Sequence, residues 1–193
     1  IRQPLMTTAP GPLNLRQFDR LWILGAGYFG RRALTTVRRH SALTSDQITV
    51  LDTDPGKLAG LEETTVCTDA IDWLQRHLGQ SVTEIDSQGT HQNENRLIIP
   101  AIPLHVAAEW VKRNLARTFT VKAISAPAAL MAALPNPYRF PGGDGLYTSI
   151  ATWRCPADCP APVSHCPHTG KPRDCDLYAA FTRLKLPEQR LLV

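Results

Sequence analysis

Three glycines at fixed spacing lie where a strand-like apolar run gives way to a helix-like pattern. The apolar run covers residues 20–24, and apolar residues at helical spacing follow over residues 31–40. The turn between them consists of Gly25, Ala26, Gly27, Tyr28, Phe29 and Gly30. Glycines at these positions allow a tight bend, close approach of a pyrophosphate to the backbone, and helix–strand packing. The pattern predicts a strand–turn–helix unit that binds a dinucleotide at the helix N-terminus.

A second apolar run ends in an acidic residue. Asp52 lies 22 residues after Gly30 and is followed by Thr53. Folds of this kind place a carboxylate at that point to accept hydrogen bonds from a ribose, and a carboxylate repels a 2′-phosphate, which favours NAD over NADP. FAD is the alternative cofactor, since flavin enzymes use the same fingerprint. One other interpretation stays open, that the glycines are kept for packing alone. A methyltransferase is disfavoured, because that class commonly carries an acid just before the glycines, where this chain has Leu21, Trp22, Ile23 and Leu24.

Strand and helix patterns alternate along the first part of the chain. Apolar runs predict five strands, at residues 20–24, 48–52, 64–67, 96–99 and 119–124. Helical spacing predicts intervening helices at residues 31–40, 70–78 and 104–115. This alternation is typical of a parallel sheet with right-handed crossovers. We therefore expect an α/β fold, a doubly wound Rossmann-like sheet of about five strands.

Composition shifts divide the chain into four predicted segments. They are an N-terminal arm (1–17), a dinucleotide-binding domain (18–125), a Pro- and Gly-rich connection (126–150), and a cysteine-rich segment ending in a helix (151–193). Within the second segment, the polar residues 79–95 predict an exposed loop. Within the fourth segment, residues 176–184 predict the C-terminal helix.

A family resemblance is carried by the sequences ILGAGYFGRRAL, ITVLDTDPGKLAGL and VCTDAIDWL. Over about residues 20–75 the chain resembles the NAD-binding domains of potassium-transport regulators, the RCK or KTN family. The resemblance implies that Asp52 holds the adenosine ribose. It also implies that Cys67, Thr68 and Asp69 lie near the adenine; where the family usually has glycine before the acid, this chain has Thr68.

Four of the five cysteines fall within 21 residues near the C-terminus: Cys155, Cys159, Cys166 and Cys175. Four thiolates can close a tetrahedral zinc site or hold a [4Fe–4S] cluster. The segment is rich in proline and poor in large apolar side chains, so a metal would supply its folding energy. The irregular spacing favours an Fe–S cluster, whereas replacement of a thiol by His165 or His168 would favour zinc. Disulfides remain a further alternative.

Charge and hydropathy exclude some classes of protein. Apolar residues make up 43% of the chain, but no apolar run approaches the roughly 20 residues of a membrane span, so we expect no membrane insertion. The chain also lacks the pattern of a secretory signal, which predicts a cytoplasmic protein. The net charge of +4 is spread along the sequence without interleaved aromatics, and we therefore expect no nucleic-acid partner.

Candidate catalytic residues follow the fourth predicted strand. Pro100 ends that strand, at the edge where doubly wound folds place cofactor contacts. His105 and Glu109 lie four residues apart on the predicted helix beyond it, and form either an acid–base pair or an ordinary surface pair. We expect a nucleotide- and redox-responsive regulatory or accessory protein that works as a homo-oligomer or with a partner subunit. The alternative is an oxidoreductase or electron-transfer subunit that couples NAD(H) or FAD to an Fe–S cluster.

Overall fold

A computed structural model describes most of the 193 residues. The described residues are 14–78, 95–122, 125–139, 145–153, 155–156, 159, 164–172 and 177–184. The chain divides into two units, Ile1–Val121 and Lys122–Val193. Among the described residues, no helix combines the length and the apolar character needed to cross a bilayer.

The first unit is built on a four-stranded parallel sheet with strand order β3-β2-β1-β4. Its strands are β1 (Arg20–Leu24), β2 (Ile48–Asp52), β3 (Thr64–Cys67) and β4 (Arg96–Pro100). The central strands β1 and β2 pair in parallel, Leu21 opposite Ile48 and Leu24 opposite Leu51. Four consecutive residues of each strand are buried, because helices cover both faces of a parallel sheet.

Four helices connect or follow these strands: α1 (Tyr28–His40), α2 (Pro55–Leu58), α3 (Ala70–His77) and α4 (Val106–Leu115). α1 buries one stripe through Leu34 and Val37, and its last turn carries Arg38, Arg39 and His40, which suit the negative end of the helix dipole. Proline occupies the first position of α2 behind an aspartate cap, a typical helix start.

Two apolar layers enclose the sheet. On one face, α1 and α2 pack onto a core that includes Leu21, Ile23 and Val50. On the other face, α3 and α4 pack onto a core that includes Leu24 and Leu51. The predicted fold class, an α/β Rossmann-like sheet, is confirmed.

The fifth predicted strand differs from the structure. Residues 119–122 form no strand, and residues 123–124 lie outside the described part of the chain. Phe119 is 63% exposed and Val121 is 40% exposed, so their side chains are not held in a sheet interior. The β propensity of this segment predicts a strand, but propensity is decided by the packing that a position offers.

The second unit contains short elements separated by irregular chain. They are α5 (Ala128–Ala133), β5 (Tyr138–Arg139), β6 (Leu146–Tyr147) and α6 (Leu177–Thr182). β5 and β6 form an antiparallel pair. Side chains hold the hairpin to the chain around it: Arg139 donates to the carbonyl of Ala126, and Thr148 donates to that of Pro135. The sequence missed α5 and the hairpin; it predicted α6 over 176–184, where the structure has a helix only at Leu177–Thr182.

A buried carboxylate ties α1 to the loop before β3. The side chain of Glu63 is 1% exposed, and its Oε1 accepts a hydrogen bond from Nε of Arg38 at 2.6 Å. The other oxygen, Oε2, has no partner among the described residues. Because a buried carboxylate without its cation is costly, the folded state depends on Arg38.

We expect Arg38→Ala to lower the free energy of unfolding by about 2 kcal/mol. The Arg38 side chain is half-exposed, so water can enter the space it leaves and replace part of the lost interaction. Arg39→Ala, on the same helix, is the matched control and should change stability by less than about 0.5 kcal/mol. Urea denaturation of the full chain measures both. A double variant, Arg38→Met with Glu63→Leu, should recover much of the loss. Equal losses of stability in Arg38→Ala and Arg39→Ala would contradict this role for Arg38.

Candidate functional site

Two of the three glycines have a structural reason to lack a side chain. Gly25 has φ +106°, and a Cβ there would lie 2.8 Å from Cγ2 of Ile102 and 2.9 Å from the carbonyl oxygen of Ala101. A Cβ on Gly30 would overlap the carbonyl oxygen of Gly25. These contacts bring the start of α1, the end of β1 and the chain after β4 together at the carboxyl edge of the sheet.

Gly27 differs from the other two glycines. A Cβ on Gly27 would meet no atom within 4 Å, and its φ of −70° is one that any residue adopts. Neither packing nor backbone conformation therefore requires glycine here. Gly27 precedes the first turn of α1, which contains no acidic residue and whose first N–H groups lack intrahelical partners. The space beside Gly27 is therefore open, directly before the first turn of α1.

Asp52 lies beside this turn at the end of β2. Its Oδ2 accepts a hydrogen bond from the N–H of Ala26 at 2.8 Å, and its Oδ1 accepts one from the N–H of Asp54 at 2.9 Å. Burial raises the pKa of Asp52, but these N–H donors and the ammonium of Lys57 lower it by more, so the net pKa lies below its usual value. The carboxylate is therefore charged at neutral pH, and each oxygen keeps a further lone pair to accept from a ligand.

Sequence reasoning missed two basic residues around Asp52. The Nζ of Lys57 lies 3.8 Å from Oδ1 of Asp52. The guanidinium of Arg31 donates to the carbonyl of Lys57 at 2.6 Å, which links the first turns of α1 to α2. Lys57 follows the Asp52-Thr-Asp-Pro-Gly turn, so its position close to the acid is a signal available from sequence.

Asp69 has a structural task in addition to its predicted place near the adenine. It is the N-cap of α3 and accepts from the N–H groups of Ile71 and Asp72. Arg113 of α4 pairs with it at 3.1 Å and also donates to Asp72. Burial raises the pKa of Asp69, but the N–H of Asp72 and the Arg113 guanidinium lower it by more, and the net pKa falls below its usual value.

The candidate catalytic pair is engaged in helix structure. α4 begins at Val106, and His105 is its N-cap, with Nδ1 accepting from the N–H of Ala108 at 3.3 Å. This corrects the predicted start of the helix at residue 104. Glu109 pairs with Lys112 at 3.6 Å. Pro100, exposed at the end of β4, lies opposite Leu24 at the carboxyl edge of the sheet, as predicted.

The remaining predicted contacts of the site lie at the end of β3 and at the start of α1. Cys67 ends β3 and is in register with Asp52 on β2. Its thiol is exposed and donates to the carbonyl of Thr53 at 3.6 Å. Tyr28 and Phe29 are 64% and 55% exposed, with their rings packed edge to face 5.2 Å apart. The predicted cofactor residues of the first unit thus cluster around one end of the sheet.

The cysteines of the second unit are only partly described. Cys155 and Cys166 line one cavity of about 470 Å³, together with Lys171. Cys159 is half-buried, and Cys175 lies outside the described residues. Within the described part of the chain, no three His, Cys, Asp or Glu side chains form a group that could hold a metal. The four-cysteine site stays a prediction.

The two histidines considered as alternative ligands have local partners. Nδ1 of His165 lies 2.9 Å from Oγ of Ser164. The ring of His168 lies 5.7 Å from that of Trp153. Cys166 begins a tight turn in which its carbonyl accepts from the N–H of Gly170, a glycine with φ +68°.

One family model matches the C-terminal part of the chain. Residues 107–193 match the family model AF_1314_C, described as "Uncharacterized protein, C-terminal domain". The matched range begins in α4 and includes the whole second unit. A search of curated proteins and a search of solved structures found no match.

Proposed function

We propose that the first unit binds NAD(H), or a related adenine dinucleotide such as FAD, and that the chain is a regulatory or accessory protein that responds to it. The observation that carries this proposal is the open space at Gly27. Gly25 and Gly30 are explained by packing, but Gly27 is not, and it lies where a pyrophosphate needs a backbone without a Cβ. A bound dinucleotide would supply hydride-transfer or redox-sensing chemistry.

The residues around the turn fit such a ligand. N–H groups at the start of α1 would receive the pyrophosphate, since they carry partial positive charge and no side chain caps them. Asp52, held in place by two main-chain N–H groups, would accept hydrogen bonds from ribose hydroxyls. Its charge supports a preference for NAD over NADP.

A regulatory rather than catalytic role is supported by the partners of the candidate acid–base residues. A dehydrogenase needs a proton donor or acceptor beside the reacting carbon. His105 uses Nδ1 to cap α4, and Glu109 pairs with Lys112. The resemblance of residues 20–75 to potassium-transport regulators adds support for a role in which nucleotide binding is a signal.

We expect Asp52→Asn to weaken NADH binding at least about tenfold, or about 1.4 kcal/mol, while NADPH binding changes little. Asn keeps a side chain of similar shape but removes the charge that accepts from a ribose and repels a 2′-phosphate. Its NH2 group would also face one of the two main-chain N–H groups from which Asp52 accepts, and the NADPH affinity reports any effect of that contact on the turn. Fluorescence titration of NADH and NADPH measures both affinities. Asp54→Asn is the matched control, since Asp54 is 53% exposed and asparagine caps a helix as well as aspartate. An unchanged NADH-to-NADPH ratio in Asp52→Asn would refute the assignment of the ribose site.

For the second unit, we propose one metal centre, an Fe–S cluster or zinc, held by Cys155, Cys159, Cys166 and Cys175. The support is that Cys155 and Cys166 line one cavity although ten residues separate them in the sequence. Lys171 lines the same cavity and would offset the charge of thiolates bound to a metal. A metal would supply folding energy to a segment whose sequence is rich in proline and poor in large apolar side chains.

The full chain, purified without oxygen, should contain metal that is lost in both Cys155→Ser and Cys166→Ser. Elemental analysis and a visible spectrum separate the two forms: a brown chromophore indicates Fe–S, and about one equivalent of zinc in a colourless protein indicates a structural zinc site. Cys67→Ser, in the first unit, is the control and should keep its metal. A chain without metal, or one that retains it in both variants, would refute the four-cysteine centre.

A further inference from the structure

One face of the sheet is covered unevenly. In β1, Leu21 and Ile23 are fully buried beneath α1. Their register partners on β4, Leu97 and Ile99, extend the same apolar row but are only partly buried. Since a parallel strand is normally covered on both faces, the half-buried row marks a place where a further element can pack.

A groove runs along this half-buried row beside α1. It has a volume of about 520 Å³. Its floor and walls are mainly apolar, formed by Leu15, Phe29, Ala33, Val37, Leu97 and Ile99. Along α1 it extends from Phe29 to His40, about 16 Å at 1.5 Å per residue, which is the length of a three-turn helix.

The rim of the groove is basic. Arg32 and His40 line it together with Thr36. The helix that forms this wall, Tyr28–His40, contains four arginines and no acid. A second copy that presented the same helix to the groove would bring like charges together, whereas an acidic partner would complement them.

We propose that this groove is a docking site for an amphipathic helix of a partner protein that carries acidic side chains along its edge. The apolar face of that helix would cover Leu97, Ile99 and the exposed ring of Phe29, and its carboxylates would face Arg32. Helix-in-groove binding of this kind places apolar anchors at helical spacing. The site lies on the α1 face of the sheet and shares only Phe29 with the predicted dinucleotide site.

The test uses two labelled synthetic peptides of about 15 residues, long enough for three to four turns. Both carry leucine at helical spacing; one has glutamate at the flanking positions, and the other has lysine there. Fluorescence anisotropy with the full chain should show that the acidic peptide binds at least about tenfold more tightly than the basic one. Arg32→Glu and Thr36→Glu should each weaken the acidic peptide about tenfold. Arg117→Glu is the control and should change it by less than about threefold, because Arg117 is exposed just after α4, which packs on the other face of the sheet.

Equal affinity for the two peptides, or binding of neither, would overturn the proposal. So would loss of affinity in Arg117→Glu as large as in Arg32→Glu, because a general charge effect would then explain the binding. Sedimentation velocity of the unliganded chain tests whether a second copy of the chain occupies the groove. A dimer that Thr36→Glu dissociates would assign the groove to a second copy and would also contradict the proposal.

Discussion

Gly30→Ala is expected to lower the free energy of unfolding by about 3 kcal/mol. The added Cβ would overlap the carbonyl oxygen of Gly25 and lie 3.4 Å from Cγ2 of Ile23. A backbone oxygen cannot move aside as the end of a flexible side chain can, so α1 would have to shift away from β1. Urea denaturation of the full chain, followed by circular dichroism, measures the loss.

Gly27→Ala is the matched control for this stability change. Its Cβ would meet no atom within 4 Å, and alanine adopts φ −70° without strain. Alanine is a poorer N-cap than glycine, but it also restricts the unfolded chain, and these two small effects oppose each other. We expect stability within about 1 kcal/mol of the unsubstituted chain. Similar stability in the two variants would contradict the different roles assigned to Gly27 and Gly30.

The same Gly27→Ala variant is expected to lose most of its nucleotide affinity. If a pyrophosphate lies against the backbone at Gly27, a methyl group there displaces it from the N–H groups at the start of α1. We expect NADH to bind at least about tenfold more weakly, by titration under the conditions used for the unsubstituted chain. Full affinity in a folded Gly27→Ala variant would show that the dinucleotide does not lie over this glycine.

Sequence reasoning located the sheet of the first unit well because its signals are local. β1 and β2 are apolar runs bounded by a glycine turn or an aspartate, and they match the predicted ranges 20–24 and 48–52. The same reasoning failed where tertiary packing decides. Residues 119–122 have β propensity but no strand, and β5 and β6 are two-residue strands in a Pro- and Gly-rich segment where no periodicity can develop.

The candidate site shows the same division between local and distant signals. Glycine spacing and the acid after β2 predicted the turn and Asp52, because strand, turn and helix are consecutive in sequence. Sequence did not reveal that Arg113 pairs with Asp69, since the two lie 44 positions apart in the chain. It also placed His105 inside the first turn of a helix that was predicted to start at residue 104. The structure starts that helix two residues later and makes His105 its N-cap, which changes what the side chain contacts.

Calorimetric titration of the full, unsubstituted chain with NADH tests the central claim most directly. We expect saturable binding, weaker binding of NADPH, and competition by ADP, because in the proposed site the turn and Asp52 hold the adenosine half of the dinucleotide. Failure of NADH, NADPH, ADP, ATP and FAD alike to bind at about millimolar concentration, where even an interaction of about 4 kcal/mol is detected, would contradict it.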